Sequence, residues 1–218
     1  MKSTTLPQYG FFDTLRHIWA GQSIMRISMN RAFARETLSG RTVDVGGGHH
    51  PDYFDYFQKT KDATLEALDA SLSGIDFEKD MLPYQDHSID TIVCANVLEH
   101  IYNYRFLVSE MRRVLREGGQ IIGFVPFSIQ YHPDPHDYFR YTREALLRIL
   151  TDAGFAHVSI DSVGGGPFLV NFNTIMLSIS HILRILLYPW YAIGDYFFLK
   201  FRSQARERYP LGYIFTAH

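Results

Sequence analysis

The stretch Thr42-Val43-Asp44-Val45-Gly46-Gly47-Gly48-His49-His50-Pro51-Asp52 decides the fold. Thr42–Val45 is a β-branched run that stops at three glycines, the pattern of a strand entering a tight turn. Pro51 suits the first turn of a helix, where its missing N–H would have no partner anyway, and Asp52 complements the helix dipole. Strand, glycine loop and helix start in this order form the context of a nucleotide-type loop. The dinucleotide fingerprint G-x-G-x-x-G wants a third glycine where this chain has Pro51, and Asp52 beside it would repel a phosphate. A cationic, phosphate-free nucleoside is the better electrostatic match.

Downstream, strands and helices alternate. Ala63–Leu68 reads as a second strand ending at Asp69, and Thr91–Ala95 as a third, apolar throughout as in a parallel sheet buried on both faces. A helix is expected over Tyr104–Arg116, with Gly118-Gly119 as its cap, and another over Thr142–Ala153, closed by Gly154. Ile121–Val125, Ala156–Ser162 and Gly212–Thr216 supply further strands. This alternation predicts an α/β domain with a largely parallel sheet, in which ligands bind just past the carboxyl ends of the strands. Asp69 stands at such an end and can accept from both hydroxyls of a ribose, since an ionised carboxylate has two oxygens and no donors. S-adenosylmethionine (SAM), with a sulfonium, an ammonium and a ribose, is a ligand of the required kind.

The run Val43–Gly48, then Asp69, then Leu82-Pro83-Tyr84-Gln85-Asp86-His87-Ser88-Ile89-Asp90 and Asn96-Val97-Leu98-Glu99-His100 resembles the successive motifs of class I SAM-dependent methyltransferases, in particular the methyltransferase type 11 set. Motif order and spacing match from about Thr42 to Phe155. The resemblance implies a Rossmann-like sheet, mostly parallel, whose last strand is antiparallel and paired beside the sixth, a place for Gly212–Thr216. It implies that Gly46, Gly47 and Gly48 let the backbone pass the methionine moiety of SAM. Asp44 would support the amino group, directly or through water, and Asp69 would hold the ribose. Asp76 with Phe77, or alternatively Asp80, would read the adenine edge, and Ala95 and Asn96 would floor the sulfonium. His49-His50-Pro51 departs from the family's usual small residue.

For the methyl acceptor, the candidates lie just past the strand ending at Val125, in Tyr131-His132-Pro133-Asp134-Pro135-His136-Asp137-Tyr138-Phe139-Arg140-Tyr141. A hydroxyl acceptor wants a base, and histidine titrates near working pH. His132 and His136 are the candidate bases, Asp137 the orienting carboxylate and Arg140 a substrate clamp, with His100, Tyr138 and Tyr141 lining the acceptor side. The alternative is a rigid turn in which Asp137 and Arg140 form a structural pair and the aromatic residues pack. No metal site is assigned. His132, His136, Asp134 and Asp137 are ordinary ligand types, but Pro133 and Pro135 restrict the loop and methyl transfer from SAM does not inherently need a metal.

Outside the core motifs, residues 1–40 read as an N-terminal helical cap, with Phe11, Phe12, Leu15, Ile18 and Trp19 on a short amphipathic helix. Residues 41–166 and 210–218 form the SAM-binding domain, and residues 167–209 an apolar, partly amphipathic helical insertion before the last strand. Thr174, Ser178, His181 and Arg184 share one stripe of that insertion and Ile175, Ile179, Ile182 and Leu186 another, with Tyr188-Pro189-Trp190-Tyr191 expected to break the helix. Residues 168–218 hold five basic and two acidic side chains, whereas the whole chain has a formal net charge of −2. An aromatic, basic-ended segment suits a lid, a homodimer surface or a peripheral membrane contact.

The chain has 218 residues, 46% hydrophobic and 20% charged, which excludes a disordered chain. Its near-neutral charge gives no global case for a nucleic-acid partner. Cys94 stands alone, so an intramolecular disulfide framework is excluded. The opening MKSTTLPQYGFF lacks the features of a secretory signal, and the expected location is the cytoplasm, peripheral to the inner face of the membrane if the insertion meets lipid. The expected activity is methyl transfer from SAM to a small-molecule, sugar or lipid-linked glycan acceptor, at oxygen. Its rivals are a non-catalytic SAM-binding or membrane-associated accessory protein and a nicotinamide-dependent oxidoreductase, against which Pro51 argues.

Overall fold

The computed structural model describes residues 10–48 and 52–218. Two helices come first, α1 (Phe11–Trp19) and α2 (Ile24–Phe33), the second capped by the Ser23 hydroxyl, which accepts from the Arg26 N–H at 3.1 Å. The strands and helices that follow are β1 (Thr37–Leu38), β2 (Arg41–Val45), β3 (Gln58–Lys59), β4 (Thr64–Leu68), the single turn α3 (Ala70–Ser73), β5 (Ile89–Ala95), α4 (Tyr104–Val114), β6 (Leu115–Pro126), α5 (Arg143–Asp152), β7 (Val158–Val163), α6 (Pro167–Ile175), α7 (His181–Phe201) and β8 (Gly212–Ala217).

Six strands form the main sheet in the order β4-β2-β5-β6-β8-β7. The pairs β4-β2, β2-β5 and β5-β6 are parallel, while β8 runs antiparallel to both of its neighbours. The sheet is mostly parallel with an antiparallel last strand, as the motifs imply. Side chains alternate across it. Ile92, Cys94, Ile121, Val125 and Phe215 join the core under α4 and α5, whereas Val93, Ala95, Ile122, Phe124 and Ile214 face Met29 and Phe33 of α2. Chain order reverses between β2, with β4 on one side, and β5 on the other. The ends of β2, β4 and β5 therefore open a crevice, the switch point where open α/β sheets take ligands.

Two local expectations are corrected. Gly118-Gly119 does not cap a helix, because α4 ends at Val114 and Leu115 is already extended and paired with Ile89. The register then skips from Ile89↔Leu115 to Thr91↔Gln120, so the glycine pair lies in a bulge of β6. The insertion also breaks elsewhere than at Pro189. A short 3-10 turn, Met176–Ser178, follows α6, and Ile179 is extended. Ser180 caps α7, which then runs unbroken through Pro189, giving up one backbone bond.

The insertion packs on the N-terminal helices. Phe172, Met176 and Tyr188 meet Ile18, Ile24 and Ile27 in a separate apolar cluster. Its internal clasp is Asp195 of α7. This buried carboxylate accepts from the backbone N–H groups of Gly166 (2.8 Å), Phe168 (3.0 Å) and Leu169 (2.8 Å), the otherwise unpaired donors at the start of α6. Asp195→Ala leaves those donors unpaired in a dry site and should cost roughly 3 kcal/mol in urea unfolding, with Asp195→Asn recovering part of the loss.

Candidate cofactor and acceptor site

Directly after β2, Gly46 adopts φ +84°, and a Cβ there would lie 2.6 Å from Val97 Cγ2. Gly47 is tighter still. A Cβ on it would sit 1.5 Å from Asp44 Oδ2 and 2.7 Å from the Tyr53 hydroxyl. The loop thus lies flat on the Asp44 carboxylate, and only glycine permits that approach.

Asp44 is wholly buried and accepts from the Tyr53 hydroxyl at 2.9 and 2.7 Å. Burial pushes its carboxyl up to about 7, against the Tyr53 hydrogen bond and with the charge of Asp69 adding to the rise. Tyr53, in the short 3-10 helix Asp52–Asp55, is a site residue the motifs did not point to. The only signal for it is its position on the element that follows the loop.

At the strand ends lies a cavity of about 280 Å³ lined by Gly46, Asp69, Ala70, Phe77, Asn96, Val97, His100, Ile101, Asp134 and Pro135. Five expected site residues meet here: Gly46, Asp69, Phe77, Asn96 and His100. Asp69 also accepts from the Gly48 N–H at 3.2 Å, which ties the end of the loop to β4. Asn96 has φ +55°; its amide donates to Met29 Sδ at 3.4 Å, while its Oδ1 is buried without a hydrogen-bond partner. That orphan acceptor, the acidic floor and the glycine cradle fit a ligand that is cationic and rich in donors. Asp76 and Asp80 are placed differently. Asp76 accepts from the Glu78 N–H and pairs with Lys79, Asp80 accepts from the Asp76 N–H, and neither lines the cavity. Ala95 faces the apolar core around Phe33. His49, His50 and Pro51 lie outside the described residues.

The acceptor-side segment folds over the turn at Leu98–His100. Tyr138 and Phe139 donate their N–H groups to the Glu99 carbonyl at 2.8 and 3.3 Å, the Tyr141 hydroxyl donates to the Leu98 carbonyl at 2.9 Å, and His100 Nδ1 meets the His136 carbonyl. Asp137 does not contact the His136 ring. It binds the Arg140 guanidinium through both oxygens and accepts from the His132 N–H at 2.9 Å, and Arg140 holds it well below the usual carboxylate range. Arg140 is further held by the Phe139 and Gln130 carbonyls, so its guanidinium braces the segment from within. His136 is exposed, with its ring 5.2 Å from that of Tyr138. Glu99, to which the sequence reading gave no role, is wholly buried, and burial pushes its carboxyl up to about 8. A larger recess of about 430 Å³ lies at the end of α7 among Phe198, Phe201, Arg202 and Tyr209, away from the strand ends and without a histidine or carboxylate in its wall.

Residues 52–123 match a family model described as a methyltransferase domain. Those residues carry a methyltransferase domain, and the relatives named below support its being of the class I SAM-dependent kind. SAM is the cofactor that goes with it. A curated relative from Mycobacterium tuberculosis, named as a probable SAM-dependent methyltransferase, is 32% identical over 94 residues, which is 40% of this chain and 34% of the relative. Another of the same description from Mycolicibacterium smegmatis is 28% identical over 154 residues, covering 66% of this chain and 56% of the relative. The chain thus spans from a third to just over half of the length of these curated relatives.

Among solved structures, the [4+2]-cyclase SpnF superposes with a TM-score of 0.54 at 16% identity, over 97% of this chain and 93% of that one. Phosphoethanolamine N-methyltransferase 2 of Haemonchus contortus, in complex with SAM, gives 0.52 at 16% identity over 96% and 58%. These likenesses establish the fold, and the cyclase shows that the fold alone does not fix the reaction.

Asp44 generates a test of the glycine loop. A carboxyl whose folded pKa is raised binds more protons folded than unfolded, so stability falls as pH rises from about 4 to about 7. Asp44→Asn, which cannot ionise, should match the native chain near pH 4. Above pH 7 it should exceed it by an amount on the order of 4 kcal/mol at most. Urea unfolding at a series of pH values checks this, and parallel curves for the two proteins would contradict it.

Proposed function

We propose that the protein transfers the methyl group of SAM to an oxygen of a small-molecule, sugar or lipid-linked glycan acceptor. One observation carries this reading. Gly46 of the glycine loop, Asp69, Phe77 and Asn96 share a single cavity with His100 and with Asp134-Pro135 in the middle of the histidine-rich segment. In this reading the cofactor side and the proton-handling side border one space.

In this reading the cofactor supplies a methyl carbon activated by a sulfonium, so the acceptor O–C bond forms as the S–C bond breaks and the electron pair stays on sulfur. Asp69 accepts from the ribose hydroxyls, and Asn96 Oδ1 gains the donor it lacks. Asp44 beneath the loop favours positive charge above it. His136, exposed beside the cavity wall, takes the proton that the acceptor hydroxyl gives up. His100 and Tyr138 bound the acceptor's space, and much of the rate comes from holding its oxygen in line with the methyl carbon.

A lipid-linked acceptor has its own support. Arg184, which the sequence pattern puts on the polar stripe of the insertion, is buried and donates to the Ile179 carbonyl at 3.1 Å. The outward stripe of α7 is apolar instead: Ile182 (64% exposed), Leu186, Trp190 (73%), Ile193, Phe197 and Phe201 (80%) follow one another at spacings of three or four. A groove of about 540 Å³ between α6 and α7, walled by Phe168, Tyr191 and Phe198, lies alongside. Among the described residues no helix is long and apolar enough to cross a membrane. A surface of this kind seats a helix in the headgroup region, and a second copy of the chain is the alternative occupant.

Calorimetric titration should show saturable binding of SAM and none of NAD, and Asp69→Ala should weaken SAM at least tenfold. His136→Ala should lower turnover with SAM affinity unchanged. In flotation with anionic lipid vesicles the intact chain should rise with lipid, and Trp190→Glu should stay behind. A chain that ignores vesicles and elutes as a dimer would place the apolar stripe between two copies.

A further inference from the structure

At the acceptor end of the cavity, Glu99, His100 and His132 each bring one ligand-type atom into a group whose members all lie within 4.8 Å of one another. Glu99 comes from the turn after β5, His100 is its neighbour in sequence, and His132 arrives from the segment folded over them. Glu99 has no exposed surface, and neither carboxylate oxygen has a hydrogen-bond partner. One of them, Oε1, stands 3.7 Å from His100 Nε2. A buried carboxylate left without donors is costly unless something positive meets it.

The two imidazoles are oriented for this. His100 Nδ1 is engaged by the His136 carbonyl, an acceptor, so that nitrogen carries the proton and Nε2 presents its lone pair toward Glu99. His132 Nδ1 stands 3.1 Å from the Gln130 carbonyl and 3.4 Å from Asp137 Oδ2, two acceptors against the single Arg140 donor at 3.3 Å. These contacts hold the His132 ring by its Nδ1 edge. Backbone carbonyls and carboxylates that fix the tautomer of a histidine in this way are the usual outer partners of metal-bound imidazoles.

We infer that Glu99, His100 and His132 form a binding site for a divalent transition-metal cation, with open positions facing the acceptor. Two imidazoles and one carboxylate suit Zn²⁺, Mn²⁺ or Fe²⁺. Two ligands at ~2.1 Å from one cation lie at most ~4.2 Å apart, so the widest pair has about half an ångström to close on binding. The half-exposed His132, on a connecting segment, is the member placed to move. His100 also lines the cavity, so a cation here stands beside the space for the acceptor. There it would hold the acceptor oxygen and ease loss of its proton. That role rests on the methyl-transfer reading, whereas the binding of metal does not. This set differs from the His132, His136, Asp134 and Asp137 group considered from the sequence, since Asp137 is taken by Arg140 and the His136 ring packs beside Tyr138, outside the group.

The test is titration of the full chain, stripped with a chelator, with Zn²⁺, Mn²⁺ and Co²⁺, followed by calorimetry and, for Co²⁺, by its visible spectrum. SAM is titrated separately in the metal-free protein. One equivalent of at least one of these ions should bind. Glu99→Gln and His132→Gln should each weaken it more than tenfold, with the metal-free SAM affinity unchanged for His132→Gln. His132 is a partly exposed loop residue, so its variant folds even if the buried Glu99→Gln does not. No saturable binding of any of the three ions, or equal binding by His132→Gln, overturns the site. Loss of SAM binding with the metal retained would instead count against the proposed activity alone.

Discussion

The contact of Gly47 with the Asp44 carboxylate is the constraint around which the site is built. A strand end delivers a carboxylate into a dry space, Tyr53 answers it from below, and the loop closes over it with no room for a side chain. Each partner comes from a different element, so β2, the glycine loop and the 3-10 helix are fixed by one another. Gly48 then reaches Asp69 at the end of β4, and Gly46 abuts Val97 after β5. Three strand ends are thus registered by a few backbone-sized contacts, and the cavity between them keeps its shape through packing rather than through long flexible side chains.

Much of this was legible in the chain itself. β-branched and apolar runs at Thr42–Val45 and Thr91–Ala95 can pack only as strands buried on both faces, and the glycines and Asp69 mark where they stop. The bulge at Gly118-Gly119 was not legible, because a glycine pair after an amphipathic run serves a helix cap and a bulge equally well. The break at Ser180 was missed for a related reason. A serine cap is a weaker signal than a proline, yet a proline inside a long packed helix forfeits a single hydrogen bond that surrounding contacts outweigh. Within the site, sequence spacing named the residues at strand ends. It left open whether Asp137 would orient a histidine or pair with Arg140, and it could not show that Tyr53 and Glu99 would be drawn beneath the surface, since that depends on contacts across distant segments.

The acceptor side is organised by backbone atoms. The carbonyls of Leu98, Glu99 and His136 each take a donor from the opposite strand of the fold-over, and the Asp137–Arg140 pair locks the segment between them. Such bracing uses up the Arg140 guanidinium, while the His136 side chain stays exposed. It also explains how the proline-rich loop that follows β6 can border the same cavity as Gly46.

The place of β8 has a consequence for biosynthesis. It pairs with both β6 and β7, yet it emerges from the ribosome only after α6 and α7. Until then β6 shows an unpaired edge and β7 has no strand to join, so the nascent chain carries a bare template for mispairing. The helical insertion is made in that interval and can settle on α1 and α2 first, leaving β8 to complete the sheet as the final, long-range event of folding.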